Sequence, residues 1–457
     1  MPSTSHLDRV LGLPELVFFG LAYMVPLTVF TTFGVVTDST QGHLPGAYVI
    51  TLVAMLFTAY SYGRMVVAHP VAGSAYSYAQ RAFGGSVGFA AGWALLLDYV
   101  FLPMINFLVI GIFLNALWPA VPPWFVVVLS IALVTMLNVL GIKMVTKFNL
   151  ALVAFQLVFI VVFMVTAIRH IGAAGAPSLG SVFFSNAELS TLFAGAAVLC
   201  LSFLGFDAIS TLSEEARDPK RSIPRAILLV TFLGGLLFII VSAVAAFAFP
   251  DFQNFTSIDA AANDVMLRVG GTFLESFFTA AYVAGCFASA MTAQASVGRI
   301  LFAMGRDGAL PRAVFARISQ RFHTPVNAIL VVGFVSLVAL FISLGTAAAM
   351  VSFGALVAFS VVNLAVIKTY LIDERRRTPI DLVRYGVIPV VGFALTIWLW
   401  TSLSATALTV GLTWLATGLV YLGFLTRGFR RPAPTLDMRE EAEIVTAAEE
   451  PTFTRDS

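Results

Sequence analysis

Charge is what this chain has least of. Asp, Glu, Lys and Arg make up only 11% of its 457 residues, against roughly a quarter in soluble domains. With 59% hydrophobic residues and a mean hydropathy of +0.94, the composition is that of a polytopic membrane protein. The net charge of +2 is too small to suggest a nucleic-acid partner. The two cysteines, Cys200 and Cys286, lie in apolar segments, so they imply packing rather than an external disulfide framework. There is no H-E-x-x-H, no P-loop and no cysteine pair of metal-binding spacing, so neither a metal, a cofactor nor ATP drive is expected. No signal peptide is expected either: the first apolar run, Leu16 to Val36, is long enough to span and has no small-residue cleavage site. Gly84-Gly85-Ser86-Val87-Gly88 has the spacing of a nucleophile elbow, but a helical hairpin surrounds it where a strand and a helix are needed. It reads as a Gly-rich loop, and the chain is not expected to be an enzyme.

What is abundant is long hydrophobic runs. Twelve spans are expected, at 14–38, 45–68, 86–116, 122–141, 147–170, 189–212, 223–250, 272–303, 325–345, 347–371, 382–402 and 404–427. With the N-terminus inside, only Arg169 and Arg268 of the 26 Lys and Arg fall on the outer side. That positive-inside asymmetry fixes an even number of spans and puts both termini in the cytoplasm, for a multi-pass protein of the cell membrane. The expected organisation is a cytoplasmic N-terminus (1–13), one membrane domain (14–428) and a cytoplasmic tail (429–457). The tail is Pro-containing and rich in Glu, Thr and Ala, a composition that predicts disorder.

Two spans look interrupted. Span one carries Tyr23-Met24-Val25-Pro26-Leu27-Thr28, where Pro26 removes a backbone donor and disturbs the carbonyl ladder before it. Span six carries Phe203-Leu204-Gly205-Phe206-Asp207 and then leaves the membrane through the charge-dense loop Glu214 to Arg221, with Pro224 expected to restart a helix. The two breaks lie five spans apart, as expected when two five-helix units are inserted in opposite orientations. Broken helices at matching positions of two halves point to a binding site at the bilayer midplane.

Polar groups at that depth carry the functional reading. Asp98 sits among Trp93, Leu95, Leu96, Leu97, Tyr99, Val100 and Phe101 in span three, where a carboxylate costs at least ~2.5–3.5 kcal/mol to insert. It is either a structural partner of another polar side chain or, the sharper reading, a counter-charge for a cationic substrate or a proton carrier. Trp93 and Tyr99 offer π-faces to an ammonium group. Asp207 opens the second half of a broken helix, so it can cap free N–H groups, touch substrate, or both. Phe203 and Phe206 pack or gate beside the break. Glu15, Glu214 and Glu215 read as a cytoplasmic salt-bridge network, the last two among Arg217, Lys220, Arg221 and Arg225.

These residues also carry a resemblance. Phe203-Leu204-Gly205-Phe206-Asp207 with Glu214-Glu215, Asp218-Pro219 and Ile223-Pro224-Arg225-Ala226-Ile227 resembles the sixth-helix signature of the amino acid–polyamine–organocation permeases. So do Pro70-Val71-Ala72-Gly73-Ser74-Ala75-Tyr76 through Gly92-Trp93, and the run from Gly298 to Pro311 followed by Thr324-Pro325-Val326-Asn327-Ala328. The resemblance implies an all-α, LeuT-like fold: 5+5 inverted repeats, about 14–170 and 189–371, plus two extra helices within 382–427. Within the family, Gly20-Leu21-Ala22-Tyr23-Met24, Leu96-Leu97-Asp98-Tyr99 and Phe353-Gly354-Ala355-Leu356-Val357-Ala358-Phe359 are similar to the putrescine importers.

The resemblance thus implies import of a diamine, with a proton as the coupled ion and Asp98 or Asp207 as its carrier. One departure agrees with it. The amino acid permeases place a small Gly-Ser-Gly-like turn in helix one, whereas Met24, Val25, Pro26 and Leu27 make a poor nest for a carboxylate. Asp98 and Asp207 are expected at opposite ends of the diamine, with Tyr23, Trp93, Tyr99, Phe203 and Tyr282 as aromatic walls and Ser289 and Ser352 as weaker hydrogen-bonding candidates. The middle of span five holds only Gln156 as a strongly polar group, where some family members carry a Lys in place of sodium. The rival readings are a permease for neutral or cationic amino acids on the same fold, and a non-transporting sensor or partner subunit. The opened backbone argues against the latter.

Overall fold

The computed structural model describes residues 9–433 apart from 118–119, 175–178, 186, 257, 259–260, 343, 402, 404 and 429. The expected tail falls almost wholly outside the described residues, as does most of the expected N-terminal segment. Among the described residues the structure is helical, with one isolated bridge between Leu11 and Ala216 as its only extended pairing. Eleven helices among the described residues are long and apolar enough to cross a membrane: α1 (Leu13–Thr31), α2 (Leu44–Ala68), α3 (Gly85–Asn115), α4 (Pro123–Leu140), α5 (Ile142–Gly172), α6 (Leu189–Leu212), α7 (Pro219–Ala248), α8 (Ala261–Arg306), α10 (Met350–Asp373), α11 (Pro379–Trp400) and α12 (Ala407–Leu425). Between α8 and α10 lies the shorter apolar helix α9, Val326–Leu340.

Both expected breaks are present. In α1 the helical course stops at Met24, Val25 adopts φ 54°, and helix resumes at Thr28. A positive φ is a strained conformation for a β-branched residue. The Thr28 hydroxyl donates to the Met24 carbonyl at 2.9 Å, occupying an acceptor that the break has freed. In α6 the α-helix Leu189–Leu199 tightens into a 3₁₀ turn over Cys200–Phe203, opens at Leu204–Phe206, and restarts as 3₁₀ over Asp207–Leu212. Gly205 sits at φ 123°, and a Cβ there would lie 2.5 Å from Tyr23 Cδ1. A side chain at 205 is therefore excluded twice, by backbone conformation and by the α1 ring packed on it.

Two boundaries differ from the expectation. Helix α7 begins at Pro219, so Pro224 lies inside it instead of starting it. The N–H that Pro224 lacks would have met the Lys220 carbonyl in the helix's first turn, close to solvent, where the loss is tolerated. Helix α8 begins at Ala261 and absorbs a kink at Gly271, which takes φ 64°.

Helix α2 packs most extensively on α7, and α3 on α10 and α8. The pairs α2/α7 and α3/α8 are each five spans apart. Helix α12 is tied to α3 by a reciprocal clasp. The Trp93 indole N–H donates to the Trp414 carbonyl at 2.9 Å, the Trp414 indole N–H donates to the Trp93 carbonyl at 2.7 Å, and the two rings stack at 5.0 Å.

Candidate functional site

The α6 break and the middle of α3 bring two carboxyl groups into one buried region. Asp207 is 1% exposed and doubly held: the Tyr99 hydroxyl donates to Oδ2 at 2.7 Å, and the Gly205 N–H donates to Oδ1 at 3.2 Å. It thereby satisfies a donor that the break exposes, on the side before the 3₁₀ turn and not as that turn's cap. Asp98, one residue before Tyr99, is 2% exposed, lies within electrostatic range of Asp207, and has no partner for Oδ1. Its helix is met face-on by α10 at Gly354, where an added Cβ would lie 2.6 Å from the Asp98 nitrogen. Two buried carboxyls with one oxygen unpaired favour a proton or a cation between them, since like charges at such depth cannot both stand bare.

A cavity of about 130 Å³ adjoins this region on the side of the α1 and α8 segments bearing Thr31 and Tyr282. Tyr23, Met24 and Val25 from α1 form one wall, Asn106 from α3 another, and Tyr282 and Ser289 from α8 a third. Ser289 Oγ donates to the Tyr23 carbonyl at 2.9 Å and accepts from Asn106 Nδ2 at 3.0 Å, while the Tyr282 hydroxyl meets Thr31 Oγ1 at 2.7 Å. Asp98 and Asp207 are not in the cavity wall. The Tyr23 side chain lines the cavity and also packs on Gly205, with its ring 6.1 Å from the Tyr99 ring.

The expected site residues thus divide. Tyr23, Met24, Val25, Asp98, Tyr99, Gly205, Asp207, Tyr282 and Ser289 gather around the two breaks. Phe206 stands beside them, stacked on Phe359 at 5.5 Å. Phe203 turns away to meet Phe238 of α7 edge-on at 5.5 Å, as a packing residue. Pro26 faces a separate apolar cavity with Leu157, Leu233 and Phe238. Ser352 is half-buried on α10, two residues before Gly354. Trp93 is not brought to the site, because its ring and N–H are committed to the clasp with Trp414.

Two residues absent from the sequence reading belong here. Asn106 follows Asp98 by eight positions and so shares its helical stripe, a signal that was available. Tyr62 of α2 is fully buried with its hydroxyl unpartnered, and its ring stands edge-on to Phe206 at 5.8 Å. A tyrosine near the end of a span reads as an interfacial belt residue, which conceals it.

The Arg-rich end of the bundle is closed. Arg306 of α8 donates through both terminal nitrogens to Glu214 at 3.2 and 3.1 Å, and Glu214 also accepts from the Ala72 N–H at 3.1 Å. Arg299 forms a buried ion pair with Glu215. The Glu215 carbonyl accepts from the N–H groups of Val10 and Leu11, each at 3.0 Å, which straps the N-terminal segment to the α6–α7 connection. Both glutamates pair with arginines of α8. Glu15 caps the start of α1 by accepting from the Gly12 N–H at 2.9 Å.

Next to this closure, Tyr76 donates to Asp307 Oδ2 at 2.7 Å and Gln80 donates to the same oxygen at 3.4 Å. Burial pushes the Asp307 carboxyl up to about 6, although Tyr76, Arg306 and Gln80 pull it down. Between the ordinary aspartate range and about pH 6, the folded protein therefore holds a proton that the unfolded chain has released. Stability falls as pH rises through that window. The ceiling on this loss is about 3 kcal/mol, at 1.4 kcal/mol per pH unit. Asp307→Asn is expected to melt at a temperature nearly independent of pH across the window, relative to the parent protein. Parallel pH slopes for the two proteins in detergent would remove Asp307 from that role.

Comparison with known proteins agrees with this architecture. The family model described as amino acid permease matches residues 15–425. The chain is 41% identical over 441 residues to the low-affinity putrescine importer PlaP of Escherichia coli K12, covering 95% of this chain and 97% of that protein. It is 27% identical to the branched-chain amino acid permease BcaP of Bacillus subtilis, covering 91% and 92% of the two chains. It is 26% identical to the methylthioribose transporter of the same organism, covering 92% and 94%.

Proposed function

The chain belongs to the amino acid permease family, and from that premise we propose that it imports putrescine or a closely related diamine across the cytoplasmic membrane by alternating access. The observation that carries this reading is the Asp98–Asp207 pair: two buried carboxyls at the helix breaks, one with an oxygen awaiting a partner. A carboxylate-bearing substrate would add a third negative charge to this region, whereas an ammonium neutralises it. The similarity to a putrescine importer over almost the full chain supports the same choice.

In this reading the Arg-rich end faces the cytoplasm with both termini. Its ion pairs hold the inner path shut while the cavity beyond Tyr23 receives substrate. One ammonium enters past Tyr23 to Asp98, and the other stays in the cavity near Asn106 and Ser289. Rocking of α1 and α6 against α3, α8 and α10 then separates Glu214 and Glu215 from α8 and opens the inner side. A proton carried on Asp98 or Asp207 would couple the cycle, as the two carboxyls compete for one positive charge.

Proteoliposomes test the reading. Labelled putrescine is expected to be taken up and to be displaced by unlabelled putrescine, but only weakly by ornithine or alanine. Strong displacement by a branched-chain amino acid would replace the diamine reading with an amino acid permease. Uptake is further expected to rise with an inside-negative potential, because each inward charge gains about 2.3 kcal/mol per 100 mV and a dication about 4.6. A rate and extent indifferent to potential would mean that no net charge moves, as in exchange for another dication. Varying pH at fixed potential separates proton coupling from this effect.

A further inference from the structure

We propose that Tyr62 of α2 joins Tyr23 and Asp98 in a three-acceptor clamp that selects a primary ammonium over a methylated one. This rests on the diamine reading and assigns a specificity-determining residue to the same site. Among the buried oxygens without partners, three from three helices border the carboxyl pair: Tyr23 Oη, Tyr62 Oη and Asp98 Oδ1. Their side chains border one region. Tyr62 meets Phe206, the residue before Asp207, at 5.8 Å, and Tyr23 meets Tyr99, the residue after Asp98, at 6.1 Å. Both tyrosines are within electrostatic range of both carboxyls and of one another.

Packing alone does not account for the Tyr62 hydroxyl. Its ring is fixed edge-on by Tyr78, Phe206 and Phe359, at 6.3, 5.8 and 6.1 Å, so the hydroxyl cannot swing out to water. A phenylalanine would fill that volume equally well without stranding a buried polar atom. A primary ammonium carries three N–H donors, and three vacant acceptors, one of them a carboxyl oxygen, match that number. A dimethylated ammonium keeps the charge but only one donor, which would leave two acceptors stranded.

The test measures displacement of labelled putrescine from the reconstituted protein by unlabelled putrescine and by N,N,N′,N′-tetramethylputrescine, in the parent and in Tyr62→Phe. In the parent, the tetramethyl compound is expected to bind at least about thirtyfold more weakly than putrescine. Tyr62→Phe is expected to lose about tenfold for putrescine and less than about threefold for the tetramethyl compound, so the gap narrows. A merely structural tyrosine would instead weaken both ligands equally, or neither, and either result overturns the clamp. If Tyr62→Phe fails to fold, equal displacement by the two compounds in the parent overturns it, and a wide gap upholds it. If putrescine is neither bound nor transported by the folded parent, it is the diamine reading that fails. That outcome is distinct from putrescine binding without discrimination.

Discussion

Asp98→Asn is expected to abolish putrescine uptake while leaving a protein that melts no lower than its parent. The two outcomes have one cause. In the free protein, a buried carboxyl with an unpartnered oxygen is a destabilising feature, and a neutral amide of the same size relieves it. In the complex, the same change removes the counter-charge of a buried ammonium and turns an acceptor toward it into a potential donor. Truncating one partner of a desolvated charge pair costs about 2–5 kcal/mol, a factor of roughly 30 to several thousand in affinity. Uptake and thermal melting measured on one preparation decide the matter. Uptake near the parent level would remove Asp98 from the site, and a lower melting temperature would make it a structural residue.

The second large effect lies just beyond the C-terminal end of α6. Glu215→Gln leaves Arg299 buried beside a neutral amide, with the Ala295 carbonyl as an acceptor at 2.7 Å. Breaking a buried ion pair from one side costs about 3–5 kcal/mol, whereas replacing both members with apolar groups of similar volume is close to neutral. Glu215→Gln is therefore expected to lower the melting temperature markedly, and the double variant Glu215→Met, Arg299→Met to restore most of it. Equal melting of the single and double variants would show that the ion pair is not what holds this end together. The restored double variant also isolates function. With the ion pair gone and stability retained, a weaker inner closure appears as faster leak of preloaded substrate from vesicles.

Much of this architecture was legible in the sequence, for identifiable reasons. Hydrophobic length marked the spans. Pro26 and the Gly205–Asp207 turn marked the breaks because neither fits an uninterrupted helix in a low-dielectric medium. Other features depend on tertiary choice and leave no local trace. Trp93 and Tyr99 are equally aromatic and lie on one helix, yet Trp93 turns to Trp414 and Tyr99 to Asp207. Glu214 and Glu215 had four basic sequence neighbours but pair with α8, because only the bundle's closure brings Arg299 and Arg306 within reach. That the cavity lining leaves out both Asp98 and Asp207 was likewise hidden, since it depends on how the side chains of four helices are placed.

The paired indoles joining α3 to α12 determine how motion in this protein is to be watched. Two hydrogen bonds and a stack make the terminal helix travel with the helix that bears Asp98. Spectroscopic labels on α3 and α12 will therefore hold a constant separation through a transport cycle and serve as the internal ruler. Labels placed across α6 and α10 will record its progress.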